Sequence, residues 1–236
     1  MKETFYKILA FVLQPFVKAI RYGALKLMKA MNNSRDRRPA IATAGHILEE
    51  IVLPSVFKTF REEEFRDLAH FKKLPVSEHD RIFNELQVAG ISVAEYALGE
   101  AKQYVKDGDF HFWSAVEEEL PRQYQKILIG FGVDGSNAKL MRELVKMRQK
   151  EYDNLADQIW DADALLTSEV KKQIEKKFNS SAPEIKRLLS AVHAMAFGTV
   201  DHIRRGKMAE KDKLVNYLMV WLLQLRNKTA KFVKRL

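Results

Sequence analysis

The side chains able to do chemistry are few and widely spaced. Arg187 and His193 are separated by five residues, a spacing that would let a guanidinium hold a phosphodiester while an imidazole moves its proton. On a regular helix the two lie about 120° apart and do not share a face. His193 and His202, with Asp201 beside the second, fall on nearly opposite sides of one helix, so they cannot ligate a single metal ion from it. His79 falls on an apolar face, where a packed, hydrogen-bonded imidazole is expected, and His46 with Glu49 and Glu50 makes a helical polar cluster. A carboxylate-bridged di-metal bundle needs inward-facing glutamates and Glu-x-x-His on two helices. The chain has no Glu-x-x-His, and Glu85, Glu95 and Glu100 fall off the small-residue face of their helix, which reads them as solvated carboxylates. Gly130-x-Gly132-x-x-Gly135 has the spacing of a phosphate loop, but that fingerprint requires a strand before the glycines. Ile127-Leu128-Ile129 is too short a run to supply one, so the glycines read as a helix end and a turn. Cysteine is absent, which excludes disulfides, thiolate zinc sites and cysteine nucleophiles. The expectation is no catalytic residue, no metal and no cofactor.

The elements that would position these residues are all helical. Period-two patterns bounded by turn residues are scarce, and Gly and Pro number only 10 and 6 in 236 residues. Residues 40–72 carry a helical pattern disturbed at Pro54. After a turn at Leu74-Pro75-Val76, Ser77 is expected to cap a helix reaching about Lys106, ended by Asp107-Gly108-Asp109. On that helix Gly90, Ala94, Ala97 and Ala101 are small residues at three- and four-residue spacing. They let neighbours approach closely, which predicts a central position in a bundle. Ser114 and Glu117 have capping-box spacing and open a helix bent near Pro121. Ser136 is expected to cap a helix to about Trp160, and a further helix covers about Leu165–Phe178. Ser181 opens another that Gly206 ends, and the last runs from about Lys211 to Leu236. The fold class is therefore an all-α, multi-helix bundle of about eight helices with no confident strand. The expected organisation is a basic amphipathic helix plus linker over residues 1–39 and a helical bundle domain over 40–236.

Charge is polarised along the chain. Residues 1–38 carry nine Lys or Arg against two acids, and residues 204–236 carry ten against two. The stretch between holds 21 basic and 27 acidic side chains, so the ends supply all of the overall net charge of +9. Basic ends favour anionic surfaces: phospholipid, nucleic acid or an acidic partner. Residues 4–31 also have the period of an amphipathic helix. Phe5, Leu9, Val12, Leu13, Phe16, Ile20, Ala24, Leu27 and Met31 share one face, and Lys7, Lys18, Arg21 and Lys29 lie on the other. Pro15 predicts a kink, and Asn32–Pro39 reads as a polar linker.

Ile8–Val17 is about half of the roughly 20 residues that span a bilayer. As a secretory signal the segment is poor, because Pro15 interrupts the apolar run, Lys18 and Arg21 follow at once, and no clean small-x-small cleavage site closely follows the apolar run. The pattern fits a helix lying in a membrane interface, with bulky apolar residues on one side and cations on the other.

The function expected is binding rather than catalysis. Residues 4–31 dock on an anionic membrane surface or a partner protein, through Phe5, Leu9, Val12, Leu13, Phe16, Ile20 and Leu27 with Lys7, Lys18, Arg21 and Lys29. The matching location is cytoplasmic, peripheral at the inner face of a membrane. Two alternatives stand. One is a nucleic-acid-binding protein in which Arg35, Arg37 and Arg38 converge with Lys228, Lys231, Lys234 and Arg235 on a phosphate backbone. The other is a helical enzyme whose small-molecule pocket is assembled from scattered residues.

Overall fold

From Glu85 to Ala94 every residue is buried. A helix buried on all sides needs neighbours on all sides, and the architecture supplies them. The computed structural model describes residues 22–25, 37–103, 107–161, 182–209 and 211–236. Among these are eight α-helices and no strand: α1 Arg38–His46, α2 Leu53–Arg61, α3 Glu63–Leu68, α4 Val76–Lys102, α5 Asp107–Gly130, α6 Gly135–Asp161, α7 Ala182–Arg204 and α8 Lys213–Arg235. The fold is the all-α multi-helix bundle expected. α4 is the axis. Around it α5 packs on α6, α6 on α7, α7 on α8, and α8 on the first helical rod, whose α1 returns to α5. Each member of this ring also touches α4, except α1, whose rod reaches it through the π-helical turns and α2.

The first rod runs without interruption from Arg38 to Arg61 through a π-helical stretch, Ile47–Val52. Pro54 has no backbone N–H to give, and the wider turn just before it accommodates that loss without breaking the rod. Among the described residues this is the one helix long and apolar enough to cross a membrane. One side of it is engaged internally, where Ile47, Leu48, Val52 and Val56 are fully buried, whereas Phe57 is exposed. The rod ends where Glu62 turns extended. The linker expected to reach Pro39 stops sooner, because Pro39 sits in the first turn of α1, where its missing N–H costs nothing.

Small residues set the closeness of the packing. A Cβ added at Gly90 would stand 3.1 Å from Val52 Cγ1 and 3.2 Å from Val56 Cγ2, so the first rod lies directly on α4 there. At Gly198 of α7 an added Cβ would come within 2.7 Å of the Tyr152 ring of α6.

Several helix starts differ from the sequence expectation. α4 begins at Val76 behind Pro75 with no side-chain cap, so Ser77 lies inside it. α5 begins at Asp107, which was expected to end the previous helix, and Ser114 and Glu117 are interior residues rather than a capping box. The cap of α6 is Asp134 and not Ser136: its Oδ1 accepts from the backbone N–H groups of Ser136 and Asn137, both at 3.0 Å. Asp212 caps α8 in the same way through Leu214 N–H, at 3.0 Å. Gly206, at φ 72°, ends α7 by donating its N–H to Asp201 O at 2.9 Å, a left-handed C-terminal turn. The helix expected at about Leu165–Phe178 and the cap at Ser181 lie outside the described residues.

Candidate functional site

The glutamates of the central helix are the largest correction. None is a solvated carboxylate on an outer face, because α4 has no solvent side from Glu85 to Ala94 and only buried or half-buried positions from Glu95 to Lys102. Glu85 is 6% exposed and accepts from Arg148 of α6 at 3.1 and 3.3 Å. Arg148 also donates to Glu151 at 3.1 Å, and Glu151 meets His202 Nε2 of α7 at 2.7 Å. One charged chain thus ties α4, α6 and α7 together. Glu100 accepts from Arg226 of α8 at 2.7 Å. Gln87, also buried, accepts from the Tyr124 hydroxyl of α5 at 2.6 Å.

Glu95 differs from the others. It has no hydrogen bond or ion pair among the described residues, and it lines a groove of about 790 Å³ where the last turns of α4 meet α5, α6 and the start of α7. Burial, together with the nearby carboxylates Glu117 and Asp153, pushes its carboxyl up to about 8. At neutral pH it therefore keeps its proton and is able to donate it. Asp153 is raised as well, chiefly by burial, although Gln149 Nε2 donates to it at 2.9 Å. The carbonyl oxygen of that same Gln149 is buried and has no donor. Glu117, by contrast, is paired with Lys102. The groove thus gathers three carboxyl groups in three states: Glu95 protonated, Asp153 exposed and bonded by Gln149, and Glu117 paired with Lys102. Arg142 and Lys146, which also line it, both pair with Glu143, whereas Arg187 at its rim has no ion pair among the described residues.

The histidines have ordinary settings. His79 Nε2 meets the Phe71 carbonyl at 3.1 Å and its ring stacks on Phe71 at 4.4 Å. His46 stacks on Phe232 at 5.0 Å. His193 has a buried, unpartnered Nδ1, and burial lowers its pKa. Arg187 lines the groove but His193 does not, so the pair expected from spacing is not assembled at one site. The glycines at 130, 132 and 135 form a helix end and a turn, with Gly132 at φ 88°. Among the described residues no group of three or more His, Asp or Glu is placed to hold a metal ion.

The docking residues expected from sequence, Phe5, Lys7, Leu9, Val12, Leu13, Phe16, Lys18, Ile20, Arg21, Leu27 and Lys29, lie outside the described residues. Residues 22–25 of the same segment are described, and they are helical. The Tyr22 hydroxyl donates to the Arg235 carbonyl at 2.6 Å, and its ring meets Phe232 edge-on at 6.3 Å. Leu25 is 5% exposed within the core, while Gly23 and Ala24 are exposed. The fold and site together define an all-α bundle with a closed helical ring around a central helix and a charged groove at one end. Comparison with known protein families, with curated proteins and with solved structures finds no match.

Proposed function

We propose that this is a non-catalytic binding protein that docks on an anionic membrane surface through its basic amphipathic opening segment. The observation that supports this reading is the contact of Tyr22 with Arg235 and Phe232, because it brings the two basic ends of the chain to one place. Lys231, Lys234 and Arg235 are all exposed there. Ala24 belongs to the apolar stripe and is exposed, whereas Leu25 and Tyr22, about 100° and 160° around the helix from it, make the bundle contacts. The bundle grips residues 22–25 by the side away from the stripe.

Each cation near an anionic surface contributes about 1 kcal/mol, so Lys7, Lys18, Arg21, Lys26 and Lys29 contribute about 5 kcal/mol at most. Apolar burial of Phe5, Leu9, Val12, Leu13, Phe16, Ile20 and Leu27 adds to this. The location that follows is the cytoplasmic face of a membrane. The nucleic-acid alternative is less well supported, because Arg37 is engaged by Glu118 at 2.5 Å and Glu119 at 3.6 Å of α5.

Flotation of the full chain with vesicles of phosphatidylserine and phosphatidylcholine tests the proposal. Binding is expected to anionic but not neutral vesicles, and to fall with salt. A variant carrying Leu9→Glu, Phe16→Glu, Lys7→Glu and Lys18→Glu should remain in the unbound fraction. Undiminished flotation of that variant sinks the reading. A gel shift with duplex or hairpin nucleic acid in the absence of flotation replaces the membrane with a phosphate backbone, and capture by neither leaves a partner protein as the occupant.

A further inference from the structure

We infer that the outer face of α8 is a second contact with anionic phospholipid headgroups, made by the bundle itself, so that α8 lies along the bilayer; this rests on the membrane reading above and extends it from the opening segment to the folded domain. α8 carries six Lys or Arg and no Asp or Glu. At about 100° per residue, Lys213, Lys228, Lys231, Lys234 and Arg235 fall within an arc of about 120°. All five are exposed, and none has an ion pair among the described residues. The sixth, Arg226, turns toward α4 and is paired with Glu100 at 2.7 Å. The cation that faces the bundle is therefore compensated, and those that face outward stand together without acids between them.

The exposed side of α6 is built differently. There Lys139, Lys146 and Lys150 are interspersed with Glu143, Asp153 and Asp157, the mixture of signs that a merely solvated face carries. A row of one sign instead produces a field that draws an extended anionic surface. Glu62 and Glu64 line the groove between α2 and α8, and Glu62 is engaged by Lys58 and by the Tyr217 hydroxyl. The field is strongest beyond them, over the last turns from Lys228 to Arg235, about 10 Å of helix. Those same turns hold the opening segment, through the bond from the Tyr22 hydroxyl to the Arg235 carbonyl at 2.6 Å. The segment and the cationic row thus reach one bilayer from one place, and attachment of either raises the effective concentration of the other.

The test is titration of the full chain with vesicles of phosphatidylserine and phosphatidylcholine, comparing two triple variants. Lys228→Gln with Lys231→Gln and Lys234→Gln should bind about 100-fold more weakly, about fivefold per cation removed. Its dependence on salt should also be shallower. Lys139→Gln with Lys146→Gln and Lys150→Gln removes the same charge from α6 and should bind within about threefold of the unsubstituted chain. All six positions are exposed, so thermal melting should be unchanged in both variants. No loss in the α8 variant, or an equal loss in the two, overturns the inference. Orientation is read separately. The chain has no cysteine, so Asn227→Cys carries a single fluorophore on the α8 face. A quencher on the lipid headgroup should dim it and spare the same label at Lys150→Cys, and equal quenching overturns the placement of α8. The opening-segment variant described above separates the two readings. Undiminished flotation of that variant together with loss in the α8 variant removes the opening segment and leaves this face, and the converse removes this face alone. Absence of vesicle binding by the unsubstituted chain overturns both, and duplex binding lost in the α8 variant then assigns the row to a phosphate backbone.

Discussion

Tyr22 and Arg235 stand 213 positions apart in the chain, and the hydroxyl of one donates to the main-chain carbonyl of the other at 2.6 Å. The last carbonyls of a helix have no partner within it, so this bond satisfies an orphan acceptor at the end of α8. Phe232 beneath it packs against both Tyr22 and His46, and is only 8% exposed. Truncation of Phe232 to Ala should cost about 3 kcal/mol, the usual loss for a buried aromatic. Tyr22→Phe keeps the ring and removes only the hydrogen bond, so its cost should be about 1 kcal/mol or less. Urea titration of the two variants measures both values, and the opposite order would show that the ring contact is not what holds the ends together.

The Glu85–Arg148 pair predicts an asymmetric response to mutation. Both side chains are largely buried, at 8% and 14% exposed. Arg148→Met leaves a carboxylate without its cation inside the ring and should cost about 3–5 kcal/mol. The double replacement Glu85→Leu with Arg148→Met removes both charges and should recover most of that loss. A double-mutant cycle by chemical denaturation checks this. If Arg148→Met alone is tolerated within about 1 kcal/mol, the chain from Glu85 to His202 is not a structural tie.

Two glycines with similar surroundings should behave differently. An added methyl at Gly198 meets the ring of Tyr152, which is 1% exposed and held at 3.1 Å from Thr199 Oγ1, so it has no room to retreat. Gly198→Ala is expected to cost about 1–3 kcal/mol despite the better helix propensity of Ala. At Gly90 the neighbours are valine methyl groups at 3.1 and 3.2 Å, which give way by a few tenths of an ångström. There the propensity gain of about 1 kcal/mol offsets the crowding, and Gly90→Ala should be close to neutral. Thermal melting of the two variants side by side shows the contrast.

Glu95 makes stability depend on pH with a definite sign. Its folded carboxyl titrates at about 8 against an ordinary value of 4.5, so between those values the folded chain holds a proton that the unfolded chain has released. Its contribution to stability is complete below about pH 4.5 and is lost as pH rises through about 8, on the order of 5 kcal/mol in all. Glu95→Gln carries no titrating group, so its stability should fall less between pH 5 and pH 8, and at pH 8 it should exceed the unsubstituted protein. Denaturation curves at the two pH values decide this. Parallel changes in both proteins would place Glu95 in a solvated setting.

Much of the architecture is legible in the residues. Helical period, the scarcity of strand patterns and the small residues Gly90, Ala94 and Ala97 lead to an all-α bundle with α4 at its centre. Local geometry suffices for that, because a 3.6-residue period and a missing side chain act over neighbouring turns. The candidate site was not legible in the same way. Glu85, Glu95 and Glu100 share a helix, but one is paired by α6, one is left over a groove, and one is paired by α8. A wheel drawn on one helix assumes a solvent side, and α4 has none between Glu85 and Ala94. The available signal was a set of polar residues (Glu85, Gln87, Ser92 and Glu95) inside an otherwise apolar run, since buried polar groups need partners. Composition and period determined by themselves that this chain is helical, cysteine-free and basic at both ends. Only the tertiary structure decided which charges are cancelled, which carboxyl has no partner among the described residues, and that the two ends meet, because each of these depends on distances between residues far apart in the chain.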